Sequence, residues 1–167
     1  MHWRLHLGLH KTATTHLQLS LEAIRPQLAE RGVDFIPLDE LRRATHLNFD
    51  WAKRFKGFKF RRDVRSVSSR LKTTILSEEN WLGHPYEGCA FPPYPRAIER
   101  LKTITKLGGT FSVFLAVRNP GQFVPSIYSE ALRHHPERVL HNQTRNAWLD
   151  GGSPWSELVE TISRTFP

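Results

Sequence analysis

A chain of 167 residues with 39% hydrophobic side chains, five Trp and ten Phe has enough apolar mass for one cored domain and too little length for two. Its formal charge of +8 and pI near 10.1 favour an anionic partner without choosing among a phosphorylated cofactor, an acidic polymer, nucleic acid or a lipid surface. A single cysteine, Cys89, excludes an internal disulfide, and no Cys/His spacing resembles a zinc site, so no metal is expected. No run reaches membrane-spanning length and no leader-like apolar stretch precedes the first element, so a cytoplasmic protein without a membrane partner is the expectation.

The alternating run "WRLHLGL" (Trp3 to Leu9) predicts a first strand ending at a glycine loop, "GLHKTATTHLQ". Leu17, Leu21, Ile24 and Leu28 recur at helical spacing and predict an amphipathic helix that stops near "ERG", with Gly32 as its C-terminal cap. "VDFIP" reads as a second short strand closed by Pro37. Strand, loop, helix and strand make a βαβ unit, which implies a parallel sheet with a right-handed crossover.

From Trp51 to Lys72 the chain carries nine basic residues and one acid, interleaved with Phe55, Phe58 and Phe60. A solvated amphipathic helix is the usual fate of such a run; a nucleic-acid contact is the disfavoured alternative, because no recognised module surrounds it. "TTILSEENW" predicts a strand over Thr73 to Leu76 with Glu78 and Glu79 at its carboxyl end. A helix follows in "YPRAIERLKTITKLGG", and "TFSVFLAVRNP" reads as a strand buried on both faces. Another helix is expected through "SIYSEALRHH", with Pro125 imposing a late start or a kink. The last is expected over Ser153 to Phe166. Since no strand follows it, the chain reads as one domain, 1–167, incomplete at its C-terminus.

A loop between a strand end and a helix start offers unpaired amides and the positive end of a helix dipole. Gly8 permits a tight turn, Lys11 adds a mobile charge, and Thr12, Thr14 and Thr15 add hydroxyls, a set suited to phosphate or sulfate. The ATP-binding loop G-x-x-x-x-G-K-[ST] is excluded by spacing, because Lys11 follows Gly8 by three residues and His10 precedes it. By itself the loop reads equally well as a Thr-rich helix cap with an incidental lysine. A second segment, "AVRNPGQFVPSIYSEAL", places Arg118 at the end of an apolar strand and Ser126 in the next helix. In a parallel sheet both fall on the edge that holds the first loop.

Together these two segments resemble the sulfotransferases that use 3′-phosphoadenosine 5′-phosphosulfate, especially the bacterial branch with a His-Lys-Thr-Gly-Thr-Thr loop. The resemblance runs from Trp3 to about Leu132. It implies a P-loop NTPase-like three-layer α/β fold, a central parallel sheet flanked by helices. It implies that His10, Lys11, Thr12, Ala13, Thr14 and Thr15 bind the 5′-phosphosulfate and that Arg118 and Ser126 hold the 3′-phosphate. Lys11 would stabilise the leaving oxygen. Glu79, which fits the Ser-x-Glu pattern carried there, would be the first candidate for general base, with His46 and Glu78 in reserve. For His46 a local structural role, and for Glu78 a solvated carboxylate, are the competing readings. The implied acceptor is a hydroxyl or amine, such as that of a glycan or small metabolite. A catalytically degenerate nucleotide-binding remnant is the alternative. Ala13 stands where the family loop has glycine, which is tolerable only if its φ is negative. Members of that family also continue well past this length.

Overall fold

The computed structural model describes residues 1–10, 12–45, 57–69, 71–84, 94–134, 136 and 155–167. Four strands, β1 (His2–Gly8), β2 (Val33–Phe35), β3 (Thr73–Ser77) and β4 (Thr110–Ala116), pair in the order β2-β3-β1-β4, and every pairing is parallel. The predicted βαβ unit is present, but β3 inserts between its two strands. Register aligns Leu5 with Leu76 and Val113, and His6 with Ser77 and Phe114. Because side chains alternate along each strand, the sheet has one face built on Trp3, Leu5 and Leu7 and another built on His2, Arg4 and His6.

The first face is the core. Trp3, Leu5 and Leu7 cluster with Phe60 and Val64 of α4 (Gly57–Val67), Leu101 and Ile104 of α5 (Ala97–Ile104), and Trp155, Leu158 and Ile162 of α7 (Trp155–Thr165). The helix α3 (Leu38–Thr45) packs on α4 and contributes Leu41. It was not foreseen in the sequence, where its eight residues hold only two large apolar side chains. Within the described part of the basic stretch, Phe60 and Val64 turn inward while Arg61 and Arg62 face solvent, so α4 is amphipathic as expected. Phe60 is therefore unavailable for stacking on a base.

Over the second face lies α1 (Thr14–Ala23), tied down by Gln18, whose Nε2 donates to the Ser77 carbonyl at 3.1 Å and reaches Ser77 Oγ at 3.3 Å. The fold is thus an α/β sandwich, a parallel sheet flanked by helices. Two expectations are corrected here. The predicted helix is two segments, α1 and α2 (Arg25–Glu30), with the break at Ile24, because Pro26 lacks the N–H that would donate to the Glu22 carbonyl. Its apolar stripe is only partly turned inward: Leu17 and Ile24 are exposed, Leu21 and Leu28 are half-buried, and the buried residues of α1 are Thr14 and Gln18. The predicted stop holds, with Gly32 at φ 71° and its amide bonded to the Ala29 carbonyl at 2.9 Å.

The strand β4 was expected to be buried on both faces. It is instead, with β2, one of the two outer strands among the described residues, and Phe114 is 56% exposed. An apolar run alone cannot distinguish a central strand from an edge strand. The helix α6 (Pro120–His134) begins at Pro120, ahead of the expected start, and runs through Pro125. Asn119 makes this possible: its side chain accepts from Gly121 N at 2.8 Å and its carbonyl from Phe123 N at 2.9 Å. The residue four before Pro125 is Gly121, the least bulky neighbour for the proline ring. Among the described residues no helix is long and apolar enough to cross a membrane.

Candidate functional site

Parallel pairing brings the carboxyl ends of all four strands to one edge. Gly8 ends β1 there, Glu78 follows β3, and Arg118 follows β4 by two residues. Around Gly8 the backbone is closely approached: a Cβ at this position would lie 2.5 Å from Thr14 Oγ1 and 3.0 Å from the His6 ring. Only glycine lets the end of β1 pass beneath the first turn of α1. The turn itself is closed by Thr12, whose hydroxyl donates to the Leu9 carbonyl at 2.6 Å and lies 3.4 Å from Thr14 Oγ1. Thr14 is buried, whereas Thr15 faces solvent at the helix start.

Ala13 is the N-cap of α1 and adopts φ 58°, ψ 29°, the left-handed conformation. The condition under which alanine would be innocuous here, a negative φ, is not met. An L-residue in this region is strained by about 1–2 kcal/mol, and glycine is the residue that avoids it. Alanine also offers no side-chain oxygen, and α1 has no side-chain cap. Its first intrahelical bond is Leu17 N to the Ala13 carbonyl at 3.2 Å. The amides of Thr14, Thr15 and His16, which precede that bond, have no acceptor within the helix. Lys11 lies outside the described residues, as does His46.

The remaining site residues divide clearly. Glu78 was a reserve candidate for the base, with a solvated carboxylate as the competing reading; the structure corrects the latter, since Glu78 is 1% exposed and accepts from both Arg42 Nε and Nη2 at 2.7 Å. Its Oε1 also accepts from Asn80 N at 3.0 Å, capping the 3-10 turn Glu79–Leu82. The Arg42 guanidinium is pushed above its ordinary value, first by the hydrogen bond to Glu78, with burial opposing and the nearby carboxylates adding to the rise. A carboxylate held by a bidentate arginine is a structural anchor, not an available base. Glu79, the next residue, is half-buried on that turn. Its charge is felt by both Arg42 and Tyr94.

Arg118 is half-buried. Its Nε donates to Gln122 Oε1 at 3.5 Å, and its carbonyl accepts Trp155 Nε1 at 2.7 Å, so the backbone at this strand end is fixed by α7. Ser126 is half-buried on α6, nearly two turns after Pro120. Beneath the loop, His6 Nδ1 sits 2.9 Å from Ser77 Oγ, and burial lowers its pKa. Among the described residues no group of three or more His, Cys, Asp or Glu is placed to hold a metal ion.

Four residues at this edge were not singled out from the sequence: Arg42, Asn80, His84 and Tyr94. His10 is buried among the last three. Tyr94 Oη lies 3.0 Å from His10 N and 3.1 Å from His10 Nδ1, Asn80 Oδ1 lies 3.2 Å from His10 Nε2, and the His84 ring is 5.5 Å away. These partners stand 70 and 84 positions from His10. No local pattern connects residues that far apart.

Set against protein-family models, curated proteins and solved structures, the chain matches none of them.

Proposed function

We propose that this protein is a sulfotransferase that binds 3′-phosphoadenosine 5′-phosphosulfate in the loop after β1 and passes its sulfuryl group to a hydroxyl or amine acceptor. A P-loop-like frame is part of this reading. The observation that carries it is the start of α1. The helix begins without a side-chain cap, on a left-handed Ala13, at the carboxyl edge of a parallel sheet. Such a helix end stabilises an oxyanion through its free amides and its dipole. Arg118 at the end of β4 supplies a guanidinium on the same edge for a second anionic group, as expected of a nucleotide phosphorylated at both ends. Lys11, Thr12 and Thr15 complete the first subsite, His10 supports it from below, and Ser126 joins Arg118.

In the reaction the acceptor oxygen or nitrogen bonds to sulfur as the bond from sulfur to the bridging phosphate oxygen breaks. Lys11 and the loop amides stabilise the charge left on that oxygen, the kind of preorganised electrostatics that contributes most to such steps. Glu79 takes the acceptor proton. Glu78 is excluded from that role by Arg42.

Titration calorimetry with 3′,5′-adenosine bisphosphate and, separately, with ATP and magnesium tests the reading. The bisphosphate is expected to bind, and Arg118→Ala to weaken it about tenfold or more, the loss of one charge-assisted contact. Preference for ATP with magnesium overturns the assignment. Labelled sulfate should move to an acceptor in the wild type and not in Lys11→Ala. The strained Ala13 favours one other reading, a binder of the same nucleotide that does not transfer, and binding without transfer across an acceptor panel would establish it.

A further inference from the structure

We infer that Tyr94, together with Asn80, is a positioning residue that clamps the entrance of the anion loop and sets its spacing from Glu79. The inference rests on the loop being the anion cradle proposed above, and it concerns residues that neither loop motif contains.

The hydrogen bonds determine one another. Asn80 Oδ1 can only accept, so His10 Nε2 carries the proton at that contact. In the neutral ring Nδ1 is then an acceptor and takes the Tyr94 hydroxyl proton. The same hydroxyl accepts the His10 backbone N–H, so the phenol is both donor and acceptor to one residue. Burial pushes the Tyr94 phenol well above its ordinary range; the carboxylates of Glu79 and Glu130 add to this and the His10 amide opposes it. The hydroxyl therefore stays protonated and able to donate. Tyr94 holds this position at φ 64°, a region that bulky residues rarely occupy.

The geometry has a direct consequence for the loop. Leu9 N is committed to the Ala116 carbonyl at 3.2 Å and His10 N to Tyr94. Both entrance amides are thereby tied to the frame, and the donors left for an anion begin beyond His10, at the first turn of α1. On the other side, the His10 ring is joined to Asn80, the neighbour of Glu79 on the same 3-10 turn. One chain of hydrogen bonds thus links the cradle to the turn that carries the proposed base. A tyrosine that merely fills space would contribute packing through its ring and leave the loop amides indifferent to its hydroxyl.

Tyr94→Phe separates these roles, because it keeps the ring and removes the hydroxyl. Amide hydrogen exchange of the ligand-free protein, well below its thermal midpoint, is expected to show His10 N protected in the wild type. In Tyr94→Phe the same amide should exchange about a hundredfold faster. Affinity for 3′,5′-adenosine bisphosphate should fall about tenfold in the variant. Unchanged protection of His10, or affinity within twofold of the wild type, overturns the inference. If Tyr94→Phe does not fold, Asn80→Ala leaves the phenol in place and should weaken binding about threefold, and no change there is equally fatal. If the wild type binds no bisphosphate, the cradle reading itself has failed, and the clamp is judged on the exchange of His10 alone.

Discussion

The two faces of the sheet are made by the same four strands and differ in almost everything else. On one, Trp3, Leu5 and Leu7 are at most 1% exposed beneath α4, α5 and α7. On the other, His2, Arg4 and His6 lie on the face where α1 is attached by a glutamine and a close-packed threonine and begins on a left-handed alanine. His2 reaches Thr110 and Ser112 of β4 at 2.8 and 3.1 Å, and His6 reaches Ser77, so this face is laced by polar contacts between strands. The first face stabilises the domain through buried apolar area, and the second carries the loop proposed to bind an anion. The loop can tolerate strain because its foundation lies on the opposite side of the sheet.

Substitutions can break this comparison. Trp3→Ala should remove about 3–5 kcal/mol, a large share of the stability of a domain this size, and abolish a cooperative urea transition near room temperature. A loss below about 1 kcal/mol would mean that the face is not the core. On the second face Gln18→Ala should cost about 1–2 kcal/mol by chemical denaturation, since two contacts to Ser77 disappear and the Ser77 carbonyl loses a donor. Ala13→Gly should raise stability by about 1 kcal/mol, visible as a higher thermal midpoint, by relieving the left-handed cap. A drop would show that alanine is not strained at this cap.

His6 gives the same face a pH dependence. Burial holds its pKa below 6.5, so the unfolded chain takes up a proton that the native chain resists. Stability therefore declines as pH falls below 6.5 toward the native pKa, and it is unaffected above 6.5. Denaturation curves between about pH 7.5 and about pH 5.5 should show this decline in the wild type and a shallower one in His6→Gln. The smallest effect is expected at Leu19, which is 61% exposed. Leu19→Ser should change stability by no more than about 0.5 kcal/mol. A loss of about 2 kcal/mol or more would mean that the exposed leucines of α1 are packed and not solvated.

Those leucines show where sequence reading loses its hold. Spacing located the helical stretch, though not its break at Ile24, and Gly32 located its stop, because both are local matters of backbone conformation. The inward face is shifted off the predicted stripe because Gln18 finds two acceptors on Ser77, and a hydrogen-bonded glutamine is buried at little cost. For β4 the apolar run was read correctly as a strand. Its place at the edge was not legible, since position in a sheet depends on which neighbour pairs first. Glu78 and Glu79 are adjacent in sequence and chemically alike. Arg42, on α3, makes one of them a buried anchor and leaves the other half-buried at the candidate site.

By itself the sequence determined the strands, the general course of most helices, the parallel α/β class and the two segments proposed to bind an anionic ligand. Each of these follows from backbone preferences and periodicity within a few turns of chain. Tertiary structure alone decided that Ala13 is left-handed, that Glu78 belongs to Arg42, and that His10 hangs from Tyr94 and Asn80. The last two are contacts between residues tens of positions apart. They exist only once the sheet has brought its strand ends to one edge.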